Sequence, residues 1–330
     1  MKCLAIADLF ITEEMMKTGL HQLVEKGFEV DIKTWKHDSL EDLQNDNIKL
    51  EKNGSEAVEL PEYLVGNIEK YDYIITQFAP IGKKVIDQAS KLKFIGVLRA
   101  GIENVNFEYA NEKGVTVFNT PGRSETSVSE YTVGLILSEI RNITRSDRKL
   151  RSHQWEKYYP NGLLAPEIKE STIGLIGYGA IGQRVANLLR PFGGKIIFFD
   201  DFFNGEAEDQ QVSLDELVQQ ADVISMHYRL TPQTKNMLNK KHFEQMKSSA
   251  VVINSARSGL INEVDLIEAL QKNRITGAAI DVFDQEPLPN DHPYLSLENI
   301  TITPHIAGST IGNFANSPKI LVDRIINEKL

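Results

Sequence analysis

Three side chains of different chemistry, Arg257, Glu286 and His305, each follow a short apolar run typical of a buried strand. A histidine titrates near neutral pH and can exchange a proton with a substrate oxygen, and a hydrogen-bonded carboxylate favours its protonated ring. An arginine can bind a carboxylate through two parallel hydrogen bonds. Together they predict hydride transfer to or from a carbon that bears oxygen, because that reaction also moves a proton.

Each of these residues also has an ordinary structural interpretation. Arg257 could cap a helix or form a surface ion pair, and Glu286 could be a loop residue in front of Pro287. A single histidine such as His305 is more often a core residue with its hydrogen bonds satisfied. A zinc site built on His305 and Glu286 lacks a third ligand at suitable spacing, so no metal is predicted.

A glycine-rich turn provides a second pattern. Gly177, Gly179 and Gly182 follow an apolar run and open a helical stretch in the order Gly-x-Gly-x-x-Gly. The first glycine of such a turn permits the tight bend, the second lets a pyrophosphate approach the backbone, and the third lets the helix pack on the strand. Free N–H groups at the start of the helix then bind the phosphates, so the turn predicts a dinucleotide site.

Asp200 ends the next apolar run, IIFFD, where a carboxylate can accept hydrogen bonds from the adenosine ribose. The same carboxylate would repel a 2′-phosphate, and no arginine follows it directly, so the predicted cofactor is NAD rather than NADP. The alternative is a solvated aspartate at a strand end. The neighbouring Asp201 could share the role.

Apolar runs alternate with amphipathic stretches along the chain, which predicts βα units and parallel sheets. Five candidate strands lie in the first third of the chain and six more follow Ser171. The predicted fold class is therefore α/β, with two doubly wound parallel-sheet domains.

Helix predictions concern the segments around these strands. A long helix is expected between the two series, with Ser127 and Glu130 forming a capping box. A short amphipathic helix is expected from Pro318 to Leu330, and Ser213 is a predicted N-cap. The polar stretch from Asp38 to Gly66 supports no assignment.

Composition restricts the function classes. The net charge of -10 disfavours nucleic acid as a partner. Cys3 is the only cysteine, which excludes an intrachain disulfide and a thiol-rich metal site. The N-terminal apolar run is too short for a signal peptide or a membrane span, so a cytoplasmic protein without a membrane partner is expected.

Taken together, the motifs resemble the D-isomer-specific 2-hydroxyacid dehydrogenases, the family of D-3-phosphoglycerate dehydrogenase and glyoxylate/hydroxypyruvate reductase. The likeness runs from about Lys93 to Ser309. The segments that carry it are LRAGIENVNFEYANEKGVTVFNTPG, GLIGYGAIGQRVANLLRPFGGKIIFFD, VVINSARSGLINEVDLIEAL, GAAIDVFDQEPLP and TPHIAGST.

The resemblance implies reversible hydride transfer between NAD(H) and a small 2-hydroxy or 2-keto acid, 3-phosphoglycerate or a related hydroxy acid being a candidate. It implies a flavodoxin-like substrate domain, residues 1–121 and 308–330, into which a Rossmann NAD domain, residues 122–307, is inserted. It also implies a cleft that closes on the substrate and a homodimer formed through the NAD domain, with the long helix after Ser127 as a contact.

The resemblance also implies roles for individual residues. Arg257 matches the substrate-binding arginine, His305 the acid/base and Glu286 its carboxylate partner, while Asp281 matches the residue that holds the nicotinamide amide. Further cofactor-lining positions are Ala180, Ile181, Tyr228, Ser255 and Ala256. On the substrate side the matching positions are Arg99, Ala100, Gly101 and Ile102.

Two positions depart from the family pattern. Arg229 replaces a proline, and Arg123 stands where many members have a small or polar residue. With Arg99 they are candidate anion contacts, and surface or structural roles are equally open for all three. A formate dehydrogenase is disfavoured by Glu286. An NADH-sensing binding protein like the corepressors built on the same fold remains an alternative function.

Overall fold

The computed structural model describes residues 1–159 and 165–329 of the chain. Its backbone divides into two compact parts, unit 1 (Met1–Ser124 with Ser309–Leu330) and unit 2 (Glu125–Gly308). The predicted domain boundaries lie within three residues of these limits, at 121 instead of 124 and at 308 instead of 309.

All strands of the described residues pair in parallel. The strands of unit 1 are β1 (Lys2–Ala7), β2 (Glu29–Thr34), β3 (Tyr73–Thr76), β4 (Phe94–Val97) and β5 (Thr116–Asn119). The strands of unit 2 are β6 (Thr172–Ile176), β7 (Lys195–Phe199), β8 (Gln210–Gln211), β9 (Val223–Met226), β10 (Val251–Asn254), β11 (Gly277–Ile280) and β12 (Ile300–Ile302).

The helices connect successive strands and cover the sheets. In the first part of the chain they are α1 (Glu13–Gly19), α2 (His21–Glu25), α3 (Leu40–Asn53), α4 (Glu62–Val65), α5 (Lys83–Gln88) and α6 (Phe107–Glu112). The remaining helices are α7 (Glu125–Ile140), α8 (Ile143–Arg151), α9 (Ala180–Leu189), α10 (Leu214–Gln220), α11 (Lys240–Gln245), α12 (Glu263–Gln271) and α13 (Ile311–Lys329).

The sheet of unit 1 has the order β2-β1-β3-β4-β5, and the sheet of unit 2 has the order β12-β11-β10-β9-β6-β7-β8. Both orders are doubly wound, so the predicted α/β class with two parallel-sheet domains is confirmed. The central strands β3, β4, β9, β10 and β11 are buried along their whole length, as expected of parallel strands covered on both faces. Ligands of such sheets bind beyond the carboxyl ends of the strands.

Several helix limits differ from the predictions. The helix α7 begins at Glu125 and buries Ser127 within it, so Ser127 does not cap this helix. The expected long helix is broken between α7 and α8, where Asn142 adopts a left-handed conformation with φ 55°. In contrast, Ser213 caps α10 as predicted and forms a capping box with Glu216.

The C-terminal helix is longer than predicted. Its predicted start was Pro318, but α13 begins at Ile311 and continues through this proline, which is disfavoured inside a helix because it lacks a backbone N–H. Leu330 lies outside the described residues. The unassigned stretch from Asp38 to Gly66 contains α3 and α4, and the Ser39 hydroxyl accepts a hydrogen bond from the Asp42 N–H at the start of α3.

None of the helices in residues 1–159 and 165–329 combines the length and the apolar composition that a membrane span requires.

Candidate functional site

The turn between β6 and α9 gives its three glycines different environments. Gly177 has φ 100°, and a Cβ at this position would lie 2.7 Å from the carbonyl carbon of His227. A Cβ on Gly182 would collide with the carbonyl oxygen of Gly177, so the absence of a side chain lets α9 pack against the turn. A Cβ on Gly179 would meet no other described atom within 4 Å. The middle glycine therefore faces open space, as a pyrophosphate site requires.

The start of α9 presents backbone donors to this space. The first intrahelical bond runs from the N–H of Gln183 to the carbonyl oxygen of Gly179, at 2.9 Å. The N–H groups of Ala180, Ile181 and Gly182 precede it and have no acceptor within the helix. Donors at a helix N-terminus, together with the helix dipole, favour an anion, so the turn fits the diphosphate of a dinucleotide.

Asp200 lies beside this turn at the end of β7. Its Oδ2 accepts a hydrogen bond from the N–H of Tyr178 at 2.7 Å, and its Oδ1 accepts one from the N–H of Phe202 at 2.8 Å. The Tyr228 hydroxyl donates to Asp200 at 3.3 Å and accepts from the N–H of Asp201 at 2.7 Å. Burial raises the pKa of Tyr228 to about 12. The carboxylate is thus fixed where this fold binds the ribose of a dinucleotide.

The turn that follows β10 is held by Asn254, which sequence reasoning missed. The Asn254 Oδ1 accepts from the N–H of Ala256 at 3.0 Å, and its Nδ2 donates to the carbonyl oxygen of Arg257 at 2.8 Å. Ser255 is buried, and its hydroxyl lies 2.7 Å from that of Thr132. Side-chain bonds from asparagine to the next residues are common in turns, so an asparagine at a strand end was an available indication.

The imidazole of His305 and the carboxylate of Glu286 form a hydrogen bond, with Nδ1 and Oε2 2.8 Å apart. The other Glu286 oxygen accepts from the N–H of Phe283 at 3.0 Å. The bond to Glu286 raises the pKa of His305, although burial opposes the charged ring. Burial also disfavours the ionised Glu286, but the hydrogen bonds from His305 and Phe283 outweigh it, and the pKa of Glu286 is lowered.

The charge balance of this pair favours a carboxylate beside an imidazolium. Within the described residues, Nε2 of His305 has no hydrogen-bond partner, so it can serve a substrate oxygen. The positive charge of the exposed Arg257 acts on both groups of this pair. It favours the ionised form of Glu286 and opposes protonation of His305, but both effects are smaller than those of burial and of the hydrogen bonds. The structure thus brings the three predicted residues together at the ends of β10, β11 and β12.

The loop that carries His305 is held by Asp281, which is completely buried. The Asp281 Oδ1 accepts from the Thr303 hydroxyl at 2.6 Å and from the N–H of Ile306 at 3.0 Å, and Oδ2 accepts from the N–H of Ala307 at 2.9 Å. His305 itself has φ 54°, a strained backbone conformation for a residue with a side chain. Asp281 therefore holds the loop through the Thr303 side chain before the histidine and through two backbone N–H groups after it, contacts that the sequence pattern did not indicate.

His227 is a further histidine next to the glycine turn. Burial lowers its pKa to about 4, so the ring is neutral, and its Nε2 is buried without a partner among the described residues. No cluster of three or more His, Cys, Asp or Glu side chains in the described residues could hold a metal ion.

The predicted substrate-side residues lie in unit 1. The guanidinium of Arg99 donates to Asn47 Oδ1 at 2.6 Å and to the carboxylates of Glu51 and Glu103 at 2.5 and 3.2 Å. Its charge is therefore already compensated inside unit 1. Residues 100–102 form the connection directly after Arg99.

Two family models match the chain. One describes the NAD-binding domain of the D-isomer-specific 2-hydroxyacid dehydrogenases and matches residues 133–307. The other describes the catalytic domain of the same family and matches residues 28–207.

Individual relatives agree with these matches. A glyoxylate reductase from Thermofilum pendens is 37% identical over 257 residues, which are 76% of this chain and 76% of that enzyme. A D-3-phosphoglycerate dehydrogenase from Methanocaldococcus jannaschii is 39% identical over 255 residues, which are 76% of this chain but 48% of the relative.

A solved D-isomer-specific 2-hydroxyacid dehydrogenase from Lactobacillus delbrueckii ssp. bulgaricus, in its NAD-complexed form, has 26% identity and a TM-score of 0.79. This likeness covers 99% of this chain and 96% of that one. With the glycine turn, the strand-end aspartate and the Glu286–His305 pair, these findings identify the chain as a member of the D-isomer-specific 2-hydroxyacid dehydrogenases, NAD-dependent oxidoreductases that act on CH–OH groups.

Proposed function

We propose that Arg257, Glu286 and His305 are the catalytic residues with which this chain reduces a small 2-keto acid. The observation that carries the proposal is the hydrogen bond between Nδ1 of His305 and Oε2 of Glu286, 2.8 Å long and within the field of Arg257. This bond favours the protonated imidazole and leaves one ring nitrogen available beside a cation, which is the combination that a keto acid requires.

In the direction of reduction, NADH held by unit 2 would supply the hydride for the keto carbon. Nε2 of His305 donates a proton to the keto oxygen, and Glu286 stabilises the imidazolium until the transfer occurs. Arg257 binds the substrate carboxylate and polarises the carbonyl group. In the direction of oxidation, neutral His305 accepts the hydroxyl proton.

The cofactor would be held by the residues around the glycine turn and the strand ends. The proposed set is Gly177, Gly179, Ala180, Ile181, Gly182, Asp200, Tyr228, Ser255, Ala256 and Asp281. The open space at Gly179 and the free N–H groups of α9 support the diphosphate contact.

The family gives the substrate class, small 2-hydroxy or 2-keto acids, and the particular acid is a separate proposal. The similar enzymes include a glyoxylate reductase and a D-3-phosphoglycerate dehydrogenase. We therefore propose glyoxylate, hydroxypyruvate, pyruvate and 3-phosphohydroxypyruvate as the first candidates for reduction.

The test is NADH and NADPH oxidation by the purified protein with this panel of keto acids. We expect turnover with NADH and a clear preference for it over NADPH. Turnover should be lost or strongly reduced in Arg257→Ala, with a raised KM and a lowered kcat, because the variant lacks the two parallel hydrogen bonds to the substrate carboxylate. An unchanged kcat/KM in Arg257→Ala would refute the assigned role, and tight NADH binding without any turnover would favour a sensor.

We also propose a cytoplasmic homodimer with contacts on unit 2. In and directly after α8, Ile143, Leu150, Trp155 and Tyr158 are each more than half exposed. Large exposed apolar side chains close together in the chain favour a protein interface, and a second copy is the occupant that the family implies. Light scattering of wild type and Trp155→Ser tests this: a monomeric wild type would contradict the dimer.

A further inference from the structure

Besides Arg257, three arginines are candidate anion contacts, and they differ in their surroundings. Arg99 is engaged by two carboxylates, as described above. Arg229 is exposed on unit 2. Arg123 is a half-buried residue of unit 1 that follows β5, and its guanidinium has no carboxylate within ion-pair distance among the residues that the structure describes.

Arg123 is anchored through one of its nitrogens only. Nη1 donates to the carbonyl oxygen of Leu98 at 2.6 Å and to the hydroxyl of Ser317 at 3.2 Å. Nε and Nη2 have no acceptor in the described residues, and neither of these two atoms is buried. Because Nε and Nη2 form one edge of the planar guanidinium, the free edge has the geometry that binds a carboxylate or phosphate with two parallel bonds.

The neighbouring groups keep this guanidinium in place without neutralising it. Its plane lies over the ring of Phe314, with 5.5 Å between the guanidinium carbon and the ring centroid. Burial lowers the pKa of Arg123 to about 10, and the charge of Arg99 adds to this effect. The carboxylate of Asp8 acts on it only from a distance, since Oδ1 of Asp8 is bonded to the N–H groups of Phe10 and Ile11.

A second polar group at the same sheet edge also lacks a partner. Gln77 directly follows β3 and is completely buried, yet neither its Oε1 nor its Nε2 has a hydrogen-bond partner in the described residues. The two sites are neighbours in the sheet, because the N–H of Leu98 donates to the carbonyl oxygen of Thr76 at 2.8 Å. Unpartnered buried polar groups are costly and are often found where a ligand binds.

From these observations we propose that Arg123 is a specificity-determining residue that binds a second anionic group, carboxylate or phosphate, on the side chain of the 2-keto acid. The inference rests on the proposed function, the reduction of a 2-keto acid. The carboxyl ends of β3, β4 and β5, where Arg123 lies, are the edge at which this type of sheet binds ligands.

The experiment compares substrates with and without a second anion in wild type and Arg123→Gln. The pairs are 3-phosphohydroxypyruvate with hydroxypyruvate and 2-oxoglutarate with 2-oxobutyrate, so that phosphate and carboxylate are tested separately. We expect wild type to prefer the dianionic member of at least one pair. Arg123→Gln should lower kcat/KM for that member by about 10- to 100-fold, the usual effect of a lost charged hydrogen bond, and change the other member less than about threefold.

Control variants separate anion binding from a structural role. Ser317→Ala removes the hydrogen bond between Arg123 and Ser317 but keeps the charge of Arg123 and its contact with Phe314, and it should leave the ratio of the two kcat/KM values unchanged. Arg123→Lys should retain part of the preference. Arg274→Gln removes an arginine that donates to the backbone carbonyls of Glu244 and Met246, and it should not alter the ratio.

Three outcomes would overturn the proposal. One is a wild type without preference in either pair. Another is an equal loss of kcat/KM for both members of a pair in Arg123→Gln. The last is a ratio of the two kcat/KM values that changes as much in Ser317→Ala as in Arg123→Gln. A protein that reduces none of these four acids, nor glyoxylate or pyruvate, would instead contradict the proposed function. A thermal shift of the wild type by inorganic phosphate that is absent in Arg123→Gln would still support the anion site.

Discussion

The ring of His305 is bonded to Glu286 across a distance of 2.8 Å, and this contact sets the protonation state on which reduction depends. The pKa of His305 is raised by that bond, against the effect of burial. Below the raised pKa the ring carries its proton and can deliver it to a keto oxygen. As the pH rises through that pKa the proton is lost, so reduction should slow on the alkaline side.

Replacement of Glu286 by Gln should move this pH profile. The amide keeps the shape of the side chain but removes the negative charge, so the pKa of His305 should fall by about one pH unit or more. The descending limb of kcat/KM for reduction should therefore shift to lower pH, with a lower maximum. Profiles should be recorded with NADH deuterated at C4, because an isotope effect shows that the chemical step limits the rate. An unchanged descending limb in Glu286→Gln would contradict the effect of Glu286 on the pKa of His305.

Replacement of Asp281 by Asn should loosen the loop on both sides of His305. One oxygen is exchanged for an N–H₂ group that cannot accept from a backbone N–H, which should lower the free energy of unfolding by about 1–3 kcal/mol and reduce kcat. Thermal unfolding and steady-state kinetics measure both effects. Thr303→Val removes only one donor to Asp281 and should have a smaller effect, whereas equal effects would argue against backbone positioning.

Alanine at Gly179 and at Gly182 should give opposite phenotypes. A Cβ at Gly179 meets no described atom within 4 Å, so Gly179→Ala should fold with nearly unchanged stability. It should weaken NADH binding by about tenfold, or about 1.4 kcal/mol, because the methyl group enters the diphosphate space. Gly182→Ala should lower the free energy of unfolding by about 1–3 kcal/mol through its collision with Gly177. Fluorescence titration with NADH and thermal unfolding distinguish the two variants. An equal fall in melting temperature for both would contradict a binding role for Gly179 and a packing role for Gly182.

The charge of Asp200 should exclude NADPH. Asp200→Asn removes the repulsion of a 2′-phosphate, and the ratio of kcat/KM for NADPH to that for NADH should rise by about tenfold or more. Asp201→Asn is the matched control, since Asp201 is the exposed neighbour in the same turn. A ratio that changes in Asp201→Asn but not in Asp200→Asn would assign the role to Asp201.

Part of this protein could be predicted because it is encoded over short distances in the chain. Apolar runs alternate with helical stretches over a few residues, and the three glycines lie within six positions, so both patterns are visible without a fold. The capping box at Ser213 has the same local origin. The predicted cap at Ser127 was wrong because α7 begins earlier, and its Ser-x-x-Glu pattern lies inside the helix.

The sequence by itself determined the α/β class, the glycine turn and the types of side chain available for proton and hydride transfer, because each depends on neighbouring residues. Only the tertiary structure decided which charges are free. The charge of Arg99 is neutralised by Glu51 of α3, which is far away in the chain, while one edge of the Arg123 guanidinium has no hydrogen-bond partner among the described residues. It also decided that Asp281 holds the loop of His305. These contacts join residues far apart in the chain, and no local pattern encodes the distance and orientation on which a hydrogen bond depends.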